Sequence, residues 1–392
     1  METHMYMEFQ KALKIIIINT LPPSSGVGRY TLSVYNKIKF ILRSSNNHTY
    51  NVLLANWSDI NPKVKEIIQK SNNKNPSVIK HVLQMLRYLS LNFFLIKQIK
   101  CNNPILIHMT HPWIAHLLPL KNRYIVTVHD LFELKRITSI DEKLIMEIWT
   151  KRKILDMLRS SNYIICASES TKNDLLHYLT DIDSKKVKVI YYGVDHELFK
   201  PRDKLEARRR LGLPLDRPII LNVGSEEPRK NIPTLIKAFG ILVKNIPNAM
   251  LIRVGSPTNT IKKLIYSQGL EGKIVYLRPT DEDLSLLYNA SNVFVFPSYY
   301  EGLGLPLLEA MASSCPVIAG NRSAIPEAVG DGGILLDPFD IDGFAYWMHE
   351  VLLNEDLRIK LSEKGYRRSL NFSWEKCARE TLEVYREVLN EV

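Results

Sequence analysis

Two glutamates eight positions apart, Glu301 and Glu309, lie in the stretch FPSYYEGLGLPLLEAMASSCPVIAG. The first stands on a glycine-rich turn. The second stands one turn into an Ala/Leu/Met-rich helical pattern. Gly302 and Gly304 allow the backbone to approach a ligand closely, and Pro306 fits the first turn of a helix, where a missing N–H costs nothing. The unfilled amides of that turn and the positive end of the helix dipole favour an anion or sugar hydroxyls. Charged carboxylate oxygens suit the hydroxyl donors of a ribose or a hexose. A second constellation is NVGSEEPRKN, where Arg229 and Lys230 follow an apolar run and precede a helical pattern beginning near Pro233. Arg grips phosphate with a two-pronged fork and Lys adds a point charge. The basic pair thus suits a phosphate, and the carboxylates suit hydroxyl donors.

Two further groups follow apolar runs. PPSSGVGRY carries Gly26 and Gly28, ahead of a helix expected from about Tyr30. Thr31 stands where a dinucleotide fingerprint needs its third glycine, so that fingerprint is absent. YIVTVHDL ends in His129 and Asp130; taken alone, a histidine at a strand end serves structure as readily as function. ASESTKND places Ser168 as a helix cap.

The elements that must hold these residues are legible as a rhythm. LKIIII, YNVLLA, PILIHM, YIVTVH, NYIICA and KVKVIYY read as buried strands, with helical stretches between most of them. The rhythm restarts with RPIILNVG, AMLIRVG, KIVYLR, NVFVFP, PVIAG and GGILLD. Alternating strands and helices imply mostly parallel sheets covered on both faces. The charged, turn-forming segment 193–204 is the expected linker. The expected domains are residues 1–195 and 196–372, with the helix from about Ser373 (373–392) a candidate to join the first. Ligands of such sheets bind beyond the carboxyl ends of the strands, where these motifs sit.

A chain of 392 residues exceeds one ordinary core, and 45% hydrophobic with 24% charged residues is a globular composition. Four scattered cysteines, with no C-x-x-C pair, argue against a zinc site or disulfide framework and fit a cytoplasmic setting. The polar start METHMYMEFQ and the short run Ile15 to Ile18 lead us to expect no secretory leader, and no apolar stretch reaches the ~18 residues of a membrane span. The net charge of +11 is uneven: residues 1–195 hold 27 Lys+Arg and 15 Asp+Glu, so the first half carries the whole excess. Either this is a solvated basic surface or the first half meets an anionic partner. No aromatic-rich motif supports nucleic acid as that partner.

The segment from Phe296 to Asp340, with its E-x7-E pattern, resembles the retaining glycosyltransferases of GT-B fold, specifically glycosyltransferase family 4 (glycosyl transferases group 1). The resemblance extends over roughly 13–390 and is strongest over 217–340. It implies an α/β GT-B architecture, two Rossmann-like doubly wound domains facing across a cleft, with the acceptor on the first and the donor on the second. It implies transfer of a hexose from a UDP-, GDP- or ADP-linked sugar to a hydroxyl of a lipid-linked or polysaccharide glycan, with retention of configuration. By that resemblance Arg229 and Lys230 hold the donor diphosphate, Glu309 its ribose, and Glu301 with the amides of Gly302, Leu303, Gly304 and Leu305 the transferred sugar. Gly26 and Gly28 approach the donor from the first domain, and His129 lies near the reacting sugar. The chain departs from the family in two places: Ser25 replaces the first glycine of the glycine loop, and Ser225 stands where many members have Arg.

No cofactor and no required metal are expected. The two D-x-D stretches, 181–183 and 340–342, lie away from the strand ends, and Asp340 reads as a helix cap. The base is expected near Arg278 to Thr280. Residues 80–100 form a basic amphipathic pattern with two readings: a helix packed on the sheet, or a helix lying in a membrane interface at the cytoplasmic face. Two alternatives to the transferase remain at this stage, a glycoside phosphorylase on the same fold and a non-catalytic glycan- or membrane-binding module.

Overall fold

The computed structural model describes residues 13–19, 25–45, 50–56, 106–112, 123–132 and 154–390, together with Leu21 and Arg152. Residues 80–100 lie outside the described residues. The chain divides into two compact units. The first comprises residues 1–166, 172–190 and 377–392; the second comprises 167–171 and 191–376.

The described strands of the first unit are β1 (Leu13–Asn19), β2 (Tyr50–Asn56), β3 (Leu106–Met109), β4 (Arg123–Val128), β5 (Tyr163–Cys166) and β6 (Val187–Val189). They form one sheet in the order β2-β1-β3-β4-β5-β6, parallel throughout. Strands buried on both faces need continuous apolar runs, which Ile15, Ile16, Ile17 and Ile18 supply in β1. The order reverses between β1 and β3, because β2 lies on the other side of β1.

The helix Gly26–Ser44 begins four residues ahead of the Tyr30 expected from sequence. Ser25 caps it: in extended geometry (φ −84°, ψ 154°), its hydroxyl accepts from Gly28 N at 2.9 Å. A first helical turn needs a cap more than it needs propensity, so two glycines do not delay the start. Gly26 and Gly28 are therefore part of the first turn, not of a preceding loop.

The second unit contains β7 (Ile219–Val223), β8 (Met250–Val254), β9 (Ile274–Leu277), β10 (Val293–Phe296), β11 (Val317–Gly320) and β12 (Ile334–Leu336). Their order is β12-β11-β10-β7-β8-β9, again parallel. This is the doubly wound order with its reversal between β7 and β10. The helices Ile232–Asn245 and Ile341–Leu353 contribute Leu235, Phe239, Phe344 and Met348 to the same buried cluster as Leu251 and Val295.

Candidate active site

The sequence-derived residues gather at the carboxyl ends of the strands, in the second unit at the reversal of its sheet. In the second unit, Arg229 and Lys230 follow β7 and Glu301 follows β10, the two strands that flank the reversal. Pro228–Lys230 form one turn of 3-10 helix, and Asn231 then takes a left-handed conformation (φ 52°) before the helix Ile232–Asn245. Asn231 tolerates that geometry because its amide donates to the carbonyls of Pro297, at 3.2 Å, and Pro338, at 2.5 Å. The bend tethers the loop after β7 to the loop after β10, as does Tyr299 N donating to Arg229 O at 3.0 Å.

The basic pair and Glu301 form one cluster. Lys230 Nζ donates to Glu301 Oε1 at 2.6 Å, and Arg229 Nη1 donates to Oε2 at 3.1 Å. Arg229 Nε also donates to Glu227 at 2.7 Å. The Glu301 side chain is 6% exposed, against 16% for Arg229 and 12% for Lys230, so the carboxylate lies deepest. Burial pushes the Glu227 carboxyl up, but the hydrogen bond and charge of Arg229, with Ser225 and Lys230, hold it below its ordinary value. Ser225, at the position that departs from the family's Arg, donates to Glu227 at 3.0 Å. Charges held in place by mutual pairing need little rearrangement when a ligand's charge arrives.

The turn after Glu301 is shaped by Gly304. Its φ of 95° is a left-handed value, and a Cβ there would stand 2.8 Å from Leu307 Cδ1. The helix Leu305–Ala312 starts next, with Pro306 in its first turn. Gly302 and Leu305 are half-buried, whereas Leu303 and Gly304 are buried. Glu309 is buried in the second turn and accepts from Tyr288 OH at 2.9 Å. Glu301 and Glu309 thus have distinct partners, a cation pair for one and a phenol for the other.

Several supporting residues were not found from sequence. Tyr288 lay in an ordinary helical pattern. Arg253 stands in the middle of β8, fully buried, where its guanidinium donates to Gly224 O at 3.2 Å and to Asn222 Oδ1. Glu226 pairs with it at 3.9 Å and accepts from Tyr276 OH at 3.0 Å. This buried network fixes the loop that carries Arg229. A charged residue inside the apolar run MLIRVG was the available signal. Ser323 Oγ donates to Glu301 O at 2.8 Å. Glu327 accepts from the amides of Glu169 and Ser170 at 2.8 and 2.7 Å, a cap that works beside Ser168, which accepts from Thr171 N at 3.0 Å.

Where the base was expected, Arg278 donates to Ser256 Oγ at 2.6 Å and Thr280 caps the helix Asp281–Ala290. The D-x-D residues are engaged locally. Asp181 pairs with Arg159 at 2.8 Å, while Asp183 and Asp340 cap helical turns.

In the first unit, Gly26 and Gly28 follow β1, Thr110 follows β3 and His129 follows β4. His129 Nε2 donates to Thr110 O at 2.5 Å, which leaves the lone pair on Nδ1. Burial pulls its pKa down to about 4, opposed by the Thr110 carbonyl. His108, held between Tyr385 OH at 2.6 Å and Thr127 Oγ1 at 2.8 Å, is pulled down to about 3 by burial and by His129. Thr31 donates to Thr110 Oγ1 at 2.7 Å, and Tyr30 OH meets Thr127 Oγ1 at 3.2 Å. Two charged side chains stand beside these neutral groups: Asp130, whose Oδ1 accepts from Phe132 N at 3.0 Å, and Arg29 in the first turn of the helix Gly26–Ser44.

Among the described residues no three His, Cys, Asp or Glu side chains cluster as a metal-ligand set, and no helix is long and apolar enough to cross a membrane.

The chain matches the family model described as Glycosyltransferase Family 4 over residues 26–198 and the one described as Glycosyl transferases group 1 over residues 203–368. It is 27% identical over 394 residues to the O-antigen chain mannosyltransferase B of Escherichia coli, covering 95% of this chain and 99% of the relative. Relatives such as the D-inositol 3-phosphate glycosyltransferase of Corynebacterium glutamicum are 29% identical over 59% of either chain, so this chain spans little more than half of their length. Among solved structures, the sucrose-phosphate synthase of Thermosynechococcus elongatus has a TM-score of 0.73 at 23% identity, covering 97% of this chain and 100% of that one. The HepE protein of Anabaena, solved in complex with UDP and glucose, has a TM-score of 0.70 at 17% identity, covering 95% and 99%.

Proposed function

The chain belongs to the GT-B glycosyltransferases of family 4, and from that premise we propose that it is a retaining hexosyltransferase of glycan biosynthesis. It moves a hexose from a nucleotide diphosphate sugar to a hydroxyl of a glycan acceptor, lipid-linked or polysaccharide. The observation that carries this reading is the Arg229–Lys230–Glu301 cluster at the reversal of the second sheet. Mannose is the first sugar to try, because the Escherichia coli relative is named a mannosyltransferase over nearly its whole length. UDP is the first nucleotide to try, because the Anabaena structure holds it.

In this reading the bond between sugar C1 and the diphosphate oxygen breaks, and the acceptor oxygen bonds to C1 on the same face. The acceptor proton passes to the departing diphosphate. Arg229 and Lys230 stabilise the charge that develops on that group, which is the kind of preorganised electrostatic stabilisation that dominates many enzymatic rates. Glu309 binds the ribose hydroxyls. Glu301 and the amides of Gly302 to Leu305 hold the hexose, and Glu301 also fixes both cations. The first unit takes the acceptor, and a neutral His129 offers Nδ1 to a hydroxyl of the sugar or the acceptor. The reaction needs no metal, since the basic pair and helix amides supply the positive charge.

The test is release of nucleoside diphosphate from UDP-, GDP- and ADP-sugars in EDTA, with lipid extract as acceptor, and the anomeric configuration of the product. Release from one donor with an α-linked product is expected. Inversion, loss of release in EDTA, or phosphate-dependent cleavage without nucleotide would each overturn the corresponding part.

A further inference from the structure

The second unit contains a cavity of about 380 Å³ that the transfer reaction does not use. It lies at the far end of the helix that carries Glu309. Ser313 is that helix's C-cap, and it lines the cavity with Tyr288, Arg202, Lys204 and Arg358. Three cationic side chains therefore face one space. Arg202 is anchored by neutral groups, donating to Ser285 Oγ and Leu198 O, each at 2.9 Å; Arg358 donates to the carbonyls of Val351 and Leu352, each at 3.1 Å, and lies 3.9 Å from the exposed Glu355. Lys204 makes no ion pair among the described residues, and burial lowers its pKa. The two carboxylates of the lining, Glu355 and Glu363, are 77% and 60% exposed, so negative charge stands at the rim and positive charge inside. Ser313 is 3% exposed, and its hydroxyl has no hydrogen-bond partner.

We propose that this cavity binds a hexose phosphate. Three cations against two rim carboxylates leave a positive excess inside, which calls for an anion such as a phosphate to pair with Lys204. The volume, within the usual range for small-molecule sites, exceeds what bare phosphate fills. The rest of the lining mixes the hydroxyls of Ser313, Ser314 and Ser362 with the apolar faces of Pro201, Pro316 and Ile359, a combination that matches the hydroxyls and C–H face of a sugar. Tyr288 forms one wall, and its hydroxyl holds Glu309 at 2.9 Å. Occupancy is thereby coupled to the donor pocket, and the coupling is reciprocal. The coupling rests on the reading of Glu309 as a donor contact; the binding does not.

The test is calorimetric titration of the full chain with glucose 6-phosphate and, separately, with inorganic phosphate. Lys204→Gln should weaken hexose phosphate binding about tenfold, the loss of one charge-assisted contact. Ser313→Ala should weaken it severalfold, and Arg229→Gln should leave it unchanged. Equal affinity in Lys204→Gln, loss in Arg229→Gln, or no binding would overturn the site. Inorganic phosphate binding as tightly as the hexose phosphate would overturn the sugar component. In the wild type, hexose phosphate should shift nucleoside diphosphate affinity, and Tyr288→Phe should abolish that shift. An unshifted wild type would overturn the coupling. A chain that binds hexose phosphate but no nucleotide would instead sink the donor reading and leave the cavity standing.

Discussion

The two sheets end in different chemistry. Beyond β7 and β10 the polar groups are charged: Arg229, Lys230, Glu227 and Glu301, backed by the buried Arg253–Glu226 pair. At the ends of β1, β3 and β4 the buried groups are threonine hydroxyls, a tyrosine and histidines whose burial keeps them neutral, with Arg29 and Asp130 the only charged residues just after β1 and β4 among the described ones. The net charge of the sequence runs the other way, since the first half carries the whole positive excess. Overall charge therefore describes what a surface attracts, whereas the strand ends describe what a site binds. A diphosphate needs fixed cations; an acceptor hydroxyl needs neutral partners that can exchange hydrogen bonds.

The sharpest way to break this contrast is to remove charge from the second unit. Glu301→Ala should lower turnover by about two to three orders of magnitude, since it unpins both cations and removes the proposed sugar contact, with a smaller effect on nucleotide affinity. Wild-type turnover in that variant would remove the cluster from the mechanism. Glu309→Ala should show the opposite split, weakening nucleoside diphosphate binding roughly tenfold or more, as titration would read. Tyr288→Phe removes only one hydrogen bond to Glu309, so about a threefold weakening is expected.

The smallest effect separates the units by pH. His129 titrates near 6.5 when unfolded but near 4 when folded, and His108 is lowered further. Their neutral forms therefore stabilise the first unit fully above pH 6.5, and that stability is lost as pH falls toward 4. The slope is at most about 1.4 kcal/mol per pH unit for each ring. Glu227 is also shifted down, but from an ordinary 4.5, so its contribution is present above 4.5 and is lost only below that. Hydrogen exchange at pH 5 should show β3 and β4 losing protection before β7 and β10. Equal loss in both sheets would contradict the neutral-histidine account.

The strands were legible because Ile- and Val-rich runs bounded by turn residues have few other uses in a globular chain. Arg229, Lys230 and Glu301 were legible as separate motifs, but their pairing was not. Residues 71 positions apart meet only because β7 and β10 are neighbours across the sheet reversal. Tyr288, Arg253 and Glu327 left weaker traces, for their partners lie on other elements and their local patterns are ordinary. The start at Gly26 was hidden by glycine's low helix propensity, which the Ser25 cap overrides.

The central claim is that the cluster beyond β7 and β10 stabilises the departing diphosphate. Single-turnover kinetics of the wild type and Arg229→Gln, with the active sugar nucleotide saturating, measure that step directly. The account predicts a bond-breaking step slowed by about a hundredfold or more in the variant. Equal rates at saturation would contradict it and reduce Arg229 to a part of the scaffold.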